Sequence, residues 1–306
     1  MTRHQQAVLT PLVFFDCFDR PLLKNYLLQA AYLEELTRAD LEETLGSMTG
    51  IVKESQDYLY LADRKGLIEN AKLRRRVSFD FWHEAKLVTA KLASLPFVRM
   101  VAVVNSLSFW NVGSDSDIDL LVVTEPDYLP IARDHANVLL KILGKRNDRP
   151  PKTKKVAIDI WLTTNNLEVK SFRNAKDIYL DFWASHLTPV FDQGGVYKKF
   201  LAANPWIKET FPNFLGNSQH LIDFSYRRRR VKTAWENLFR SFLGKKISQA
   251  LTRHQLVRLK KYQDEFAGQG TIVIDAERMR FNTPDRRVEY QERFDERWEQ
   301  VSKRIN

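Results

Sequence analysis

Two carboxylates, Asp117 and Asp119, open an apolar, β-branched run made of Ile118 and Leu120 to Val123, and few arrangements of a chain tolerate that. The run has the character of a buried strand. Residues i and i+2 of a strand point to the same side, so the two carboxylates emerge together. Held side by side they repel, which is unfavourable unless something cationic sits between them. The segment predicts a strand whose entrance holds a cation, with a divalent metal ion as the obvious candidate.

A second apolar run, VAIDIWLTT from Val156, carries Asp159 in its middle. A lone acid among Ala157, Ile158, Ile160 and Trp161 is expensive to bury unless it is paired or bound to metal. If the two strands lie side by side, three carboxylates converge. Three oxygen ligands suit Mg²⁺ or Mn²⁺ better than zinc. Cys17 is the sole cysteine, which excludes a Cys-based zinc site, and the six histidines are scattered without ligand spacing. Magnesium completes its shell with water and phosphate oxygens, so a nucleoside triphosphate is the implied substrate. Two ions bridged by shared carboxylates would activate an attacking hydroxyl and stabilise the departing pyrophosphate. A plainer arrangement, in which the acids cap strands and face solvent, stays open at this point.

The surrounding chain predicts an α/β protein. Residues 1–78 give helical spacing, then TRADLEETLGSM with Thr37 as N-cap and Asp40 three residues on, then β-type runs flanking the polar SQD turn. Three helices and a two-stranded wing make a winged-helix-like region. A helix over VSFDFWHEAKLVTAKLASL, a strand at FVRMVAVV, the acidic strand, an amphipathic helix stopped by Gly144 and the Asp159 strand occupy 79–165. From 166 to 306 the pattern is mainly helical, with a short strand, a turn and a charged helix in the tail.

The acidic half GSDSDIDLLVV, preceded by Val104-Asn105-Ser106, resembles the DNA polymerase β-like nucleotidyltransferase superfamily. Its signature is a Gly-Gly or Gly-Ser step, a spacer, two acids separated by one apolar residue, and a third acid on a later strand. The likeness covers about Phe97–Thr163; together with the N-terminal segment it is loosely similar to uncharacterised bacterial and archaeal proteins that join a winged-helix-like region to such a domain. The resemblance implies a small mixed-sheet core and transfer of a nucleoside monophosphate from a triphosphate to an acceptor hydroxyl. It implies Asp117, Asp119 and Asp159 as metal ligands and catalytic residues, and Asn105, Ser106 and Ser116 as nucleotide-binding residues. The acceptor is left open. Asn105 and Trp110 stand where family members carry glycine; Asn enters left-handed backbone more readily than most residues, and Trp110 would narrow the pocket or stack on a base.

Composition matters chiefly through charge. Between Arg227 and Lys261 twelve Lys/Arg accompany one acid, Glu236, so essentially the whole net charge of +10 sits there. Val231, Trp235, Leu238, Phe242 and Leu243 fall at helical spacing and predict one amphipathic helix whose apolar face packs on the protein's own core. Arg227, Arg228, Arg229, Arg230, Lys245 and Lys246 would then hold phosphates of nucleic acid or of the triphosphate, or less readily an anionic membrane surface. This gives the competing expectation of a nucleic-acid-binding regulator with a silent core. No run of the sequence is long and apolar enough to span a bilayer and Met1–Pro11 lacks a signal-peptide core, so a cytoplasmic address is expected.

Overall fold

The computed structural model describes residues 1–64, 66–147, 150–265 and 271–305, the side chains of Tyr226, Arg227, Phe242, Leu243 and Tyr262 excepted. The expected phosphate contact of Arg227 and core contacts of Phe242 and Leu243 lie outside the described residues.

The chain starts with α1 (Arg3–Asp16), capped reciprocally by Thr2 and Gln5. β1 (Leu22–Leu23), α2 (Lys24–Gln29) and α3 (Arg38–Ser47) follow. The Thr37 hydroxyl accepts from the Asp40 N–H and starts α3, as its sequence predicts. β2 (Val52–Ser55) and β3 (Tyr58–Leu61) form a hairpin. Gln56 and Asp57 turn it with φ of 53° and 65°, the left-handed pair that matches strand twist. β1 joins the other edge of β3 to complete a three-stranded sheet.

α4 (Leu67–Leu92) begins well before Val77, where the sequence places its start. Leu67, Ala71 and Ser78 carry its buried stripe straight through the basic run Arg74–Arg76. Then come β4 (Val98–Val103), the single turn α5 (Asn105–Ser108), β5 (Ile118–Thr124), α6 (Leu129–Ile142) and β6 (Val156–Thr163). Gly144 follows α6 with φ 63°, the left-handed stop expected of it. β4 runs antiparallel to β5, and β5 parallel to β6.

The C-terminal half is less purely helical than its sequence pattern. α7 (Ile178–His186) is followed by a strand the pattern does not show, β7 (Thr188–Asp192). It pairs with β4 at the sheet edge, where Pro189 is tolerated despite its missing N–H. α8 (Val196–Ala203), α9 (Trp206–Thr210), α10 (Tyr226–Arg240), α11 (Phe242–Glu265), β8 (Thr271–Ile274), β9 (Arg278–Asn282) and α12 (Arg287–Ser302) complete the chain. The six-stranded mixed sheet has the order β7-β4-β5-β6-β9-β8, so three of its strands come from beyond residue 165. Side chains alternate across it. Val101, Val103, Ile118, Leu120 and Val122 pack with α4 and α6, whereas Met100, Ala102, Leu121 and Val123 pack with α7, α8 and α9. A third cluster gathers α1, α3 and the small sheet together with Phe109, Phe182, Phe211, Phe294 and Val301.

One expectation is reversed outright. The predicted single helix is two, because Ser241 leaves helical geometry with ψ 164°. Gly244 then lies against the Leu238 and Phe239 carbonyls, where a Cβ would collide. Val231, Trp235 and Leu238 do not face the core; they are 54%, 53% and 60% exposed. α10 instead buries its polar side, Lys232 and Glu236. The cause is the tight 93–98 turn, which leaves backbone groups without partners. Glu236 accepts from the Phe97 N–H at 2.8 Å and from Arg99 at 2.7 Å. Lys232 Nζ donates to the Ala93 carbonyl at 3.1 Å and to the Val98 carbonyl. Among the described residues, no helix is long and apolar enough to cross a membrane.

Candidate active site

β5 and β6 set the acids by register. Ile118 pairs with Val156, Asp119 with Ala157 and Leu120 with Ile158, but Leu121 pairs with Ile160. Asp159 is the extra residue of a bulge, a device that re-aims a side chain. The residue keeps some exposed surface, yet its carboxyl is enclosed enough for burial to be the first cause of its raised pKa. Asp117, Asp119 and Asp159 are all partly exposed.

The three carboxylates act on one another. Burial, then Asp117, then Asp159 push the Asp119 carboxyl well above the usual carboxylate range. Burial and Asp117 raise Asp159 to about 6, with Lys152 opposing. Asn147 Nδ2 donates to Asp117 Oδ2 at 2.6 Å. Asn105 hydrogen-bonds the Asp119 side chain, and the Tyr179 hydroxyl donates to Asn105 Oδ1 at 3.2 Å. That leaves the Asn105 amide to serve Asp119. Burial raises Tyr179 strongly, with Tyr290 and Asp119 adding to it, so it stays a donor at any working pH.

Other expected residues fall elsewhere. Ser116 closes the loop into β5 by accepting from the Gly113 N–H at 2.9 Å. The Ser106 carbonyl accepts from the Asn111 N–H at 2.9 Å, which closes the turn after α5. Asn105 and Trp110, at the two glycine positions of the resemblance, both have left-handed backbone, with φ of 57° and 56°. Trp110 packs edge-on against Phe79 at 5.1 Å and beneath Arg75 rather than beside the acids.

Asp159 borders two hollows. One, of about 150 Å³, is lined by Asn105, Tyr179, Arg280, Arg287 and Tyr290. The other is a groove of about 830 Å³ lined by Arg133, Lys141, Arg146, Asn147, His254 and Arg258. Lys141 and Arg146 belong to the basic segment next to the Asp159 strand in sequence. Asn147, Tyr179, Arg280 and Arg287 escape sequence reasoning, since Asn147 is an unremarkable loop residue and the others come from distant segments. Arg228, Arg229, Arg230, Lys245 and Lys246 line neither hollow; the basic stretch contributes His254 and Arg258 instead.

Among the described residues, no three His, Cys, Asp or Glu side chains stand close enough to hold a common metal ion. The donor set nonetheless fits magnesium or manganese, which bind through one or two carboxylates and complete their shell with water and phosphate. The charge of Asp119 is disfavoured by Asp117 and Asp159, and that of Asp159 by Asp117, with Lys152 opposing both; a divalent ion would relieve this. Compared with known proteins, the chain matches no family model, no curated protein and no solved structure.

Proposed function

We propose that the protein is a metal-dependent nucleotidyltransferase that moves a nucleoside monophosphate from a triphosphate to an acceptor hydroxyl and releases pyrophosphate. The observation that carries this reading is the meeting of Asp119 and Asp159, each raised by burial and by Asp117, on neighbouring parallel strands beside a basic groove. Mg²⁺ or Mn²⁺, each ion held by one or two of these carboxylates and completed by water and phosphate oxygens, would neutralise the triphosphate and lower the pKa of the attacking hydroxyl.

The chain's own groups do the rest. Asp159 takes the acceptor's proton as general base. Tyr179 fixes Asn105, and Asn105 fixes the orientation of Asp119. Asn147 does the same for Asp117. Lys141, Arg146 and Arg258 along the groove attract the triphosphate and spread its charge. Calorimetry of each of the four nucleoside triphosphates with Mg²⁺ tests the reading, using wild type and the Asp117→Ala/Asp119→Ala double variant. Metal-dependent binding that vanishes in the variant supports it. A well-folded wild type that binds none of them ends it.

A second reading has its own support. Arg228, Arg229, Arg230, Lys245 and Lys246 are all exposed on α10 and α11, and the order helix-strand-helix-helix-hairpin of residues 3–61 suits a winged-helix-like region. A nucleic-acid-binding regulator would bind with a steep salt dependence that ignores the Asp substitutions.

A further inference from the structure

On the far side of α5 from the acids lies a separate cavity of about 260 Å³. Asn105 lines the acidic hollow and Ser108, at the other end of the same turn, lines this one. Its walls come from the approach to β1 (Arg20), from α2 (Tyr26), from α4 (Arg75), from Trp110, from His186 at the end of α7, and from His220.

Two features of these walls need a ligand. The first is charge. Arg20 and Arg75 both face the cavity, and neither makes an ion pair with a described carboxylate. The Arg20 guanidinium carbon lies over Phe15, 4.3 Å from its ring centre, and that of Arg75 lies 5.1 Å from the centre of Trp110. The aromatic faces hold the guanidinium planes and leave N–H edges to serve something else. Burial and then Arg75 disfavour the charge of Arg20 and lower its pKa to about 9. Two like charges kept together without a counter-charge repeat, with opposite sign, the situation of the acids on β5.

The second feature is unpaired polarity. Arg20 Nη1, Tyr26 Oη, His186 Nε2 and His220 Nδ1 are each shut off from solvent with no hydrogen-bond partner. Buried polar atoms are nearly always paired, so four orphans around one cavity are unusual. His186 is 7% exposed, and its Nδ1 lies 2.6 Å from the Phe182 carbonyl. Nδ1 therefore carries the proton and donates, and Nε2 is left as a bare acceptor. The walls thus bring cationic donors at Arg20 and Arg75, with the Tyr26 hydroxyl and the His186 acceptor just beneath the cavity surface, between it and a smaller hollow of about 30 Å³ that both residues also line.

We infer that this cavity binds a small phosphomonoester, with the phosphate between Arg20 and Arg75 and a ligand hydroxyl donating to His186 Nε2. A planar fork matches phosphate oxygens in pairs, and a phosphorylated alcohol supplies both the anion and the donor that the walls lack.

The test is calorimetric titration of the full-length, EDTA-treated protein with glycerol 3-phosphate, with glycerol as the control. Wild type and Asp119→Ala are expected to bind saturably and alike, because the acids lie outside the site and no divalent ion is present. Arg20→Ala and Arg75→Ala are each expected to weaken binding at least tenfold. Should Arg20→Ala not fold, Arg75→Ala decides alone, since Arg75 is only half-buried on a long helix. Absence of saturable binding to folded wild type overturns the inference. So does binding that survives Arg75→Ala, binding lost in Asp119→Ala, or equal binding of glycerol.

Discussion

Asn105 and Trp110 keep a left-handed backbone at the two positions where the resembled family has glycine. A left-handed φ strains a residue with a Cβ by roughly 1–2 kcal/mol, less for Asn, whose side chain bonds locally. At Asn105 the side chain has a second task, because it links Tyr179 to Asp119. Replacing it by Gly and by Ala removes the same hydrogen bonds and differs in backbone strain. Asn105→Gly is therefore expected to be more stable than Asn105→Ala by about 1 kcal/mol in urea denaturation. Equal midpoints would mean that the turn relaxes without a left-handed residue. The acids make the complementary case. Asp119 carries a charge that burial, Asp117 and Asp159 all oppose. Asp119→Asn keeps the acceptor for Asn105 and drops the charge. Without metal at pH 8 it is expected to gain on the order of 1 kcal/mol of stability and to lose metal-dependent nucleotide binding. A thermal midpoint that falls instead would show that the carboxylate is compensated.

Elements whose pattern depends on their own residues were legible: the Thr37 cap, the SQD hairpin, the three strands from Phe97 to Thr163 and the Gly144 stop. The nearness of Asp117 to Asp119 was legible from their two-residue spacing, although β5 begins between them at Ile118. The bulge that delivers Asp159 was not, since it depends on the register against β5. α10 was read backwards for a related reason. Its apolar stripe is real, but the surface it meets consists of unsatisfied backbone groups, and the helix turns Lys232 and Glu236 towards them. The two sides of α10 should respond oppositely to substitution. Glu236→Ala leaves Arg99, which holds it at 2.7 Å, partly buried with one acid fewer, and is expected to cost about 3 kcal/mol. Trp235→Ala, on the exposed side, is expected to change stability by less than about 0.5 kcal/mol. Chemical denaturation of the two variants checks the pair, and a Trp235→Ala loss as large as that of Glu236→Ala would restore the core-facing helix.

The whole molecule is joined by contacts between residues far apart in sequence, which a pass along the chain cannot show. α1 is buried from Ala7 through Asp16, more thoroughly than a helix covering one small sheet needs to be. Its other neighbours are α7 and α12: Phe14 stacks on Phe182 with ring centres 4.1 Å apart, and Phe294 and Val301 belong to the same cluster. Arg297 on α12 reaches Asp16 and Asp63, each at 2.7 Å, tying the last helix to the first and to the end of the hairpin. β9 meanwhile pairs with β6, so the tail also closes the sheet beside the acids. A chain of 306 residues would ordinarily divide into units that melt separately. Here residues 1–64 have no core that does not include side chains from α7 and α12, so melting them alone would expose apolar surface on the remainder. Scanning calorimetry of the full chain is expected to show one transition with matching calorimetric and van't Hoff enthalpies. Removing residues 287–306 strips Phe294 and Val301 from the α1 cluster and leaves the buried Asp16 without Arg297. That truncation should lower the midpoint of the entire transition, including near-ultraviolet signals from Trp161 and Trp183 in the sheet layers. A separate early transition confined to the first 64 residues, with those tryptophan signals unmoved, would show that the N-terminal region is an independent unit after all.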